Sequence, residues 1–568
     1  MMQQIIECVP NFSEGKNSEI IKQITQTIEQ SGGVQLLDVD MGYTTHRTVV
    51  TFVGTPEAVI EAAFRGIQKA KELIDMRLHH GEHPRFGATD VCPLIPVSNI
   101  SMEETAQYAR KLAERVGAEL GIPVYCYENA AFEDKRRNLA NCRAGEYEGL
   151  KEKMSHADWA PDFGPAVFDE HVSRSGASAI GARDFLIAVN YNLNTTSVRR
   201  ANAIAFDVRE KGRPKREGNS VVGKIVKDER GETIYIPGTL KCTKAIGWYI
   251  EEYGIAQVSM NITNTRETPL HVAFEEVTAK AAARGIRVTG TEIVGLIPKN
   301  TLIAAADYYL SKQKRSRGVC EAEKIKIAVK SMGLDDLKPF VPEEKVIEYM
   351  IEKSAASRKL VDMSCAAFAH ETASESPAPG GGSIAAYTGA LAAALGTMVA
   401  NLSAHKPGWD NQWEFFSRWA EKGQKLKDEL LQLVDEDTKA FNKIMDAFGL
   451  PKGNENEKME RSRAIQEATR YATEVPFRTL QRVFEVFEIC EAMIKKGNPN
   501  SVTDAGTGAA CARAAATGAF LNVKINASSL KDKDFAEQIV AEAQSLTRKA
   551  MQWEQRLIKK VERVIDQA

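Results

Sequence analysis

The chain has 568 residues, with 74 Lys and Arg against 76 Asp and Glu and a formal net charge of -2. At about 150 residues per domain, this length calls for three or four domains or subdomains. A hydrophobic fraction of 43% with 26% charged residues excludes wholesale disorder, and the balanced charge supplies no global attraction to nucleic acid.

The first third alternates strand and helix patterns. Ile5 to Val9 reads as a strand and Ser18 to Glu29 as an amphipathic helix. Val34 to Asp40 and Thr48 to Val53 read as strands, Pro56 to Ile74 as a helix and Val91 to Val97 as an apolar strand. Met102 to Leu120 is a further helix and Pro123 to Tyr127 a further strand, giving a βαββαβ core with additions. A second round begins near Gly181. Asp184 to Tyr191 reads as a strand, Thr196 to Lys211 as a helix and Asn219 to Ile236 as a turn-rich strand region. Ala256 to Ile262, Pro269 to Ala283, Arg287 to Thr289 and Leu302 to Ser311 follow as strand, helix, strand and helix. Two such lobes would leave a cleft suited to a small molecule.

After about Lys330 the pattern changes. Leu337 to Glu344 carries two prolines and then a helix start, the marks of a linker. Beyond it the periodicity is helical: Glu343 to Met350, Val361 to Glu371, Ser383 to Ser403, Trp413 to Phe448, Glu455 to Lys496, Asp504 to Ile525 and Lys531 to Val564. The expected division is 1–180, 181–328, a linker at 329–342 and an all-α domain at 343–568. The fold class is α/β plus all-α, and two architectures in one chain suggest two activities.

The start of the chain shows no basic segment followed by an apolar one, so no secretory signal is expected. The nine cysteines are scattered and form no C-x-x-C pair, which fits a reducing cytoplasm rather than a disulfide framework or cysteine-rich zinc site. Ser376 to Ala404 carries no charge, but it is rich in Ala, Gly, Thr and Ser. It reads as a buried helix with a small-residue face rather than a membrane span. Such helices suggest pairing between subunits, hence a homo-oligomer.

The densest chemistry lies between Asp75 and Asp90, where His79, His80 and His83 fall within five residues beside Glu82, Arg85 and Asp90. Gly81, Pro84 and Gly87 keep this run out of a helix, so the side chains sit on a loop before the Val91 strand. A metal site lacks a diagnostic spacing, since H-E-x-x-H is absent. A general acid–base histidine and a merely solvated loop remain open. Asn11, Ser13 and Asp40 lie just past strand ends, natural places for site residues, although each also suits a cap or turn. In the helical half, the loop from Ser376 to Ser383 precedes a helix whose free N–H groups would favour an anion, with Ser383 as a plain N-cap the alternative. Asp435 and Asp437, two apart on a helix, point to different faces, so only one easily enters a site.

These motifs together resemble a known family over nearly the whole chain. VPNFSEG at Val9–Gly15, LLDVD at Leu36–Asp40, HRTVVTFVG at His46–Gly54, GEHPRFGATDVCPLIPV at Gly81–Val97, RAGEYEGL at Arg143–Leu150 and DWAPDFGPAVF at Asp158–Phe168 look like glutamate formimidoyltransferase. APGGGS at Ala378–Ser383, VDEDTKAF at Val434–Phe441 and the loop at Gly497–Asp504 look like formimidoyltetrahydrofolate cyclodeaminase. The order is that of the bifunctional formimidoyltransferase-cyclodeaminases.

The resemblance implies two ferredoxin-like βαββαβ lobes around a folate cleft, then an all-α domain for a second reaction. It implies His83 as catalytic acid–base group and Asp40 as its electrostatic partner. Asp162, Phe163, Gly164, Pro165, Ala166, Val167, Phe168, Asp169, Glu170 and His171 fall in its folate segment. In the helical domain it implies Asp437 as catalytic carboxylate, with Gly380, Gly381, Gly382, Ser383 and Asp504 in the substrate pocket. Family members often carry Asn where His46 stands and Met where Phe86 stands, and Gly212 to Thr239 is longer than in the animal enzymes. The implied chemistry transfers the formimino group of N-formimidoyl-L-glutamate to tetrahydrofolate. It then closes 5-formimidoyltetrahydrofolate to 5,10-methenyltetrahydrofolate with loss of ammonia, in histidine breakdown and one-carbon metabolism. Tetrahydrofolate, with a polyglutamylated form the expected preference, is a co-substrate, and no tightly bound cofactor or metal is expected. Lys312, Lys314, Arg315 and Arg317 are candidate contacts for an anionic tail, or a solvated surface segment. Two alternatives for the helical half are a methenyltetrahydrofolate cyclohydrolase and a non-catalytic folate-binding or assembly module.

Overall fold

The computed structural model describes residues 4–43, 46–80, 85–218, 222–354 and 359–567. It divides into two compact units, one of residues 1–305 with 329–356 and one of 306–328 with 357–568.

The α/β unit opens with β1 (Ile5–Cys8), β2 (Asn11–Phe12), α1 (Ser18–Glu29), β3 (Val34–Gly42), β4 (Arg47–Gly54), α2 (Pro56–Leu73) and β5 (Thr89–Ser98). β1 and β2 form one interrupted strand lying between β4 and β5, and β3 pairs outside β4. These pairings are antiparallel, so the order is the expected ferredoxin-like one. α3 (Met102–Leu120), β6 (Val124–Glu128) and β7 (Ser178–Ala182) extend the sheet, with β7 parallel between β5 and β6. α3 has the bounds the sequence predicts because both ends are written in it. Ser101 and Glu104 form a reciprocal capping box, and Gly121 stops the helix at φ 60°. Ile6, Cys8, Phe12, Ile24, Phe52 and Ile67 lie in a fully buried core. Short helices α4 (Leu139–Cys142), α5 (Leu150–Ser155) and α6 (Glu170–Ser175) surround a second small core on Phe86, Val91 and Tyr125.

The second lobe repeats the plan: β8 (Ile187–Leu193), α7 (Val198–Val208), the short pair β9 (Arg213–Pro214) and β10 (Tyr235–Ile236), then β11 (Thr243–Ile250), β12 (Ile255–Ile262), α8 (Leu270–Ala282) and β13 (Val288–Val294). The sheet order is β11-β12-β8-β13. β11 is not expected from the sequence. Its Gly247 looks like a breaker, yet a Cβ there would stand 2.7 Å from Ala201 Cβ, so glycine is what lets α7 lie on the strand.

α9 (Lys299–Lys312) and α10 (Glu321–Met332) follow, then α11 (Pro342–Lys345) and α12 (Ile347–Ser354). The division differs from the expected one. The stretch 329–342, read as a linker, holds the end of α10, and α11 and α12 pack on the α/β unit rather than opening the bundle. Ile297 N–H donates to Lys345 O at 2.9 Å and Gln35 Nε2 to Met350 O at 3.0 Å. Pro342 marks a helix start, which signals a local element and not a domain boundary. Residues 306–328 in turn belong with the bundle. Arg317 N–H donates to Ser417 Oγ at 3.0 Å, and Asn401 Nδ2 to Gly318 O at 2.8 Å.

The helical unit contains α13 (Cys365–Thr372), α14 (Gly381–Ala404), α15 (Trp413–Phe448), α16 (Glu455–Lys496), α17 (Val502–Ser528) and α18 (Lys533–Asp566). α14 is long and apolar enough to cross a bilayer, but it packs against α15, α16 and α17 at the bundle centre. Small residues such as Ala386, Ala390, Ala393 and Ala400 make that approach possible. α16 runs unbroken through a buried Pro476. The carbonyl that this proline cannot bond, Ala472 O, accepts from Asn526 Nδ2 of α17 at 2.7 Å.

Candidate functional site

His83 lies in 81–84, outside the described residues, but the residues that hold its loop are described. His46 stands just before β4 with φ 50°. Its Nδ1 is 2.8 Å from His80 O and its Nε2 3.1 Å from Glu14 Oε1. Both neighbours are acceptors, so each ring nitrogen lies within hydrogen-bond distance of an oxygen that can take a proton from it. The amides of Asn17 and Lys16, together with His46, hold the Glu14 carboxyl below its ordinary range against the opposing effect of burial. His79 stacks on His46 with centroids 4.1 Å apart and 12° between planes. His79 Nε2 donates to His46 O at 2.9 Å, while its buried Nδ1 finds no partner among the described residues. Burial, aided by the charges of His46 and Arg85 and opposed by the bond to His46 O, pulls His79 down to about 4. The stacked pair stands directly before the His83 segment in the sequence.

Beside it lies a buried charged cluster. Asp90, 0% exposed on β5, accepts on its Oδ2 from Arg47 Nη1 and, at 2.7 Å, from Arg143 Nη1. Arg47 also donates from Nε to Asn11 Oδ1 at 2.9 Å. Arg85 joins the loop to the following segment through His79 O at 3.2 Å and the Glu148 carboxylate.

The segment 162–171 reaches the same loop at one end and is structural at the other. Asp162 accepts from Arg136 Nη1 at 2.6 Å and from Cys126 N–H at 2.7 Å. Phe163 packs edge-on to Phe132, and Gly164 takes φ 84° against the backbone of α3. Asp169 caps α6 by accepting from Val172 N–H at 2.8 Å. From α6 onward the chain meets the histidine loop: Met76 N–H donates to Arg174 O at 2.9 Å and Ala88 N–H to Ser175 O at 2.8 Å. Val167, Glu170 and His171 are exposed there. Asp40 is exposed on β3, opposite Val49, and its charge together with burial raises the Asp38 carboxyl two residues away.

In the helical unit the structure brings Asp437 to the N-terminus of α14. Asp437 Oδ2 accepts from Ser383 Oγ at 2.9 Å, and its carboxylate also takes the Ser383 amide. Burial outweighs both bonds and raises its pKa above the ordinary 3.8. Gly382 is what admits the carboxylate, since a Cβ there would stand 2.6 Å from Asp437 Cγ. The neighbouring acids are otherwise engaged. Asp435 accepts from Leu360 N–H at 2.6 Å, and Glu436 from Tyr471 Oη and Arg478 Nη2, both at 2.6 Å. Asn522 of α17 faces Gly381, where a Cβ would lie 3.2 Å from its Nδ2. Asp504 is not brought to this junction. It lies in the first turn of α17, and Asn522 is 18 residues further on, about 27 Å along the helix at about 1.5 Å per residue.

Sequence reasoning named Asp90 beside the histidines without giving it a role, and did not single out Glu14, Arg47, Arg143 or Asn522. Arg47 and Arg143 sat in quoted motifs, but their meeting on one carboxylate is a tertiary fact. The basic run near 312–317 is partly neutralised, with Arg315 3.6 Å from Glu323 and Arg317 3.0 Å from Glu421. No group of three or more His, Cys, Asp or Glu able to hold a metal occurs among the described residues.

An α/β unit with a histidine loop and a separate helical unit with a raised buried carboxyl are the architecture of a two-domain enzyme. Comparison with known proteins agrees. Residues 5–183 match the formiminotransferase domain, N-terminal subdomain; 188–352 match the formiminotransferase domain; and 364–545 match the formiminotransferase-cyclodeaminase model. The formimidoyltransferase-cyclodeaminase of Gallus gallus is 42% identical over 94% of each chain. The glutamate formimidoyltransferase of Thermoplasma acidophilum is 42% identical over 54% of this chain and 92% of its own. A methenyltetrahydrofolate cyclohydrolase of Methylorubrum extorquens is 39% identical over 31% of this chain and 86% of its own. The chain belongs to the formimidoyltransferase-cyclodeaminase family.

Proposed function

We propose that the protein transfers the formimino group of N-formimidoyl-L-glutamate to tetrahydrofolate and then cyclises the product to 5,10-methenyltetrahydrofolate with release of ammonia. The observation that carries this is the match to a bifunctional relative along 94% of both chains. In the first step N5 of tetrahydrofolate attacks the formimino carbon. His83 accepts the N5 proton and returns one to the departing glutamate nitrogen, traffic suited to a group titrating near neutrality. The Glu14–His46–His80 chain supports this role by fixing the loop's N-terminal side. Asp40 is the proposed electrostatic partner, and the run from Asp162 to His171, whose end meets the loop, the folate contact.

In the second step N10 attacks the same carbon and ammonia leaves. Ammonia departs readily only when the nitrogen is protonated, and a carboxyl raised by burial is suited to hold that proton. Asp437 fills this role, with Gly380 to Ser383 around it. The cyclohydrolase match favours a second reading of the bundle, in which water adds to the methenyl carbon, one C–N bond opens and 10-formyltetrahydrofolate forms with release of a proton. Neither step calls for a metal or redox cofactor, which makes tetrahydrofolate a co-substrate and no tightly bound group necessary. The steps belong to histidine degradation and one-carbon metabolism, with polyglutamylated folate a fitting substrate. Nine free cysteines support a cytoplasmic setting, and the exposed Leu391, Met398 and Leu402 on α14 support a homo-oligomer.

The test separates the sites. His83→Ala should lose transferase turnover by about 100-fold or more and keep cyclodeaminase activity, and Asp437→Asn should accumulate 5-formimidoyltetrahydrofolate. Loss of both activities in either properly folded variant would overturn the two-site assignment.

A further inference from the structure

Asn522 of α17 carries an acceptor that the bundle itself does not use. α17 meets α14 antiparallel. A Cβ on Gly518 would lie 3.2 Å from Ala385 Cβ, and one turn on, a Cβ on Gly381 would lie 3.2 Å from Asn522 Nδ2 and 3.7 Å from its Oδ1. A further turn along α17, Asn526 Nδ2 donates to Ala472 O at 2.7 Å, and the adjacent Tyr471 donates from Oη to Glu436 at 2.6 Å. These contacts put the Asn522 amide at the terminal turn of α14 that also receives Asp437, through Ser383 Oγ at 2.9 Å. Asn522 Nδ2 donates to Gly518 O at 2.9 Å, which pins the amide to its own helix. The side chain is half-buried, and its Oδ1 takes no hydrogen bond among the described residues.

The second reaction has a use for that oxygen. The leaving nitrogen of 5-formimidoyltetrahydrofolate belongs to an amidine, which is protonated near neutrality and then carries a pair of N–H bonds. N10 adds to the formimino carbon, the N10 proton passes through Asp437 to the leaving nitrogen, and the carbon–nitrogen bond breaks. The amidinium and the N10–H become the methenyl cation and ammonia, so atoms and charge balance. A single carboxyl meets one side of that nitrogen, and an N–H left without an acceptor in a half-buried site costs free energy. The free amides at the start of a helix are donors and cannot serve. Asp435 accepts from Leu360 N–H, and Glu436 from Tyr471 and Arg478, so the neighbouring acids are turned elsewhere. An amide oxygen also gains strength as an acceptor while the nitrogen becomes ammonium, because hydrogen bonds from charged donors are the stronger ones.

We propose that Asn522 Oδ1 accepts an N–H of the leaving nitrogen of 5-formimidoyltetrahydrofolate and holds that nitrogen against Asp437. Asn522 is then a second catalytic residue of the helical unit. This rests on the cyclodeaminase reading and adds to it the group that grips the departing ammonia.

The experiment supplies 5-formimidoyltetrahydrofolate to the full chain and follows methenyltetrahydrofolate by its ultraviolet absorbance. Asn522→Ala should slow turnover roughly 10- to 100-fold, the loss of one hydrogen bond to a charged group. Inhibition by 5-formyltetrahydrofolate should change little, since its formyl oxygen offers no N–H there, and this also reports a folded site. Asn522→Asp keeps the size and an acceptor oxygen, so it should turn over faster than Asn522→Ala and reads the site even if the alanine variant does not fold. Its new carboxylate stands near Asp437 and should move the acid limb of the pH–rate profile to higher pH, which a merely structural role would not do. The proposal is overturned by normal turnover in Asn522→Ala, by an acid limb that Asn522→Asp leaves in place, or by 5-formyltetrahydrofolate inhibition that falls in step with turnover. No methenyl product from the unaltered protein would remove the cyclodeaminase reading itself.

Discussion

Gly382→Ala is a small change that tests how Asp437 is held. An ordinary contact needs about 3.4 Å, and the new Cβ would stand 2.6 Å from Asp437 Cγ, so one of them must move by 0.8 Å or more. Gly382 is fixed in the first turn of a helix buried among three others. Asp437 meets it with the far end of a side chain, so the carboxylate is what yields. It swings away from the Ser383 hydroxyl, now 2.9 Å distant, and off the helix N-terminus. The fold should lose little, about 1–2 kcal/mol, for one neutral-to-charged hydrogen bond and local crowding. The chemistry should lose more, since a displacement of about 1 Å at a reacting group costs on the order of 100-fold. With both substrates supplied, the variant should release glutamate at the normal rate and accumulate 5-formimidoyltetrahydrofolate. Methenyltetrahydrofolate, followed by its ultraviolet absorbance, should form about 100-fold more slowly. Normal methenyl formation in the folded variant would show that the second reaction does not use Asp437 where the structure puts it.

Two further outcomes follow from buried charges. Glu7 on β1 is 4% exposed, and burial, with Glu348 adding and Arg183 opposing, pushes its carboxyl up to about 7. A raised folded-state pKa contributes stability that is present below the ordinary 4.5 and lost as pH rises through about 7. Glu7→Gln should therefore stabilise the α/β unit by about 1–3 kcal/mol at pH 8 and by little at pH 4; a gain independent of pH in denaturant unfolding would contradict this. Arg136, 3% exposed, pairs with Asp162 at 2.6 Å, and Arg136→Ala should cost about 3–5 kcal/mol by leaving that carboxylate without its counter-charge, held only by the Cys126 amide. Arg136→Met with Asp162→Leu should recover much of the loss, and a double variant as unstable as the single one would refute the cause.

What was legible in the sequence was mostly local. α3 announces itself by its capping box, and α15 and α16 by long uninterrupted periodicity. Pro476 did not mislead, because its neighbours keep the helical period while a distant Asn526 takes the freed carbonyl. β7 was missed because Ser178–Ala182 is short and buried on both faces, which leaves no alternation to see. β11 was missed because Gly247 answers to α7 across the lobe. The site divides in the same way. Asp437 and the Gly380–Ser383 loop follow from motif and helix-terminus chemistry, and the structure joins them. The cluster on Asp90 joins residues 43 and 53 apart in sequence, so no spacing rule finds it. Asp504 lies away from that junction for a related reason. A matched motif in the loop at Gly497–Asp504 does not say which end of the bundle that loop faces.

The most direct measurement incubates the purified full chain with N-formimidoyl-L-glutamate and tetrahydrofolate and counts all three products. Two consecutive reactions on one carbon unit require glutamate, ammonia and 5,10-methenyltetrahydrofolate in equal amounts at completion. Glutamate without ammonia, or ammonia without a methenyl product, would contradict the claim that this chain carries both steps.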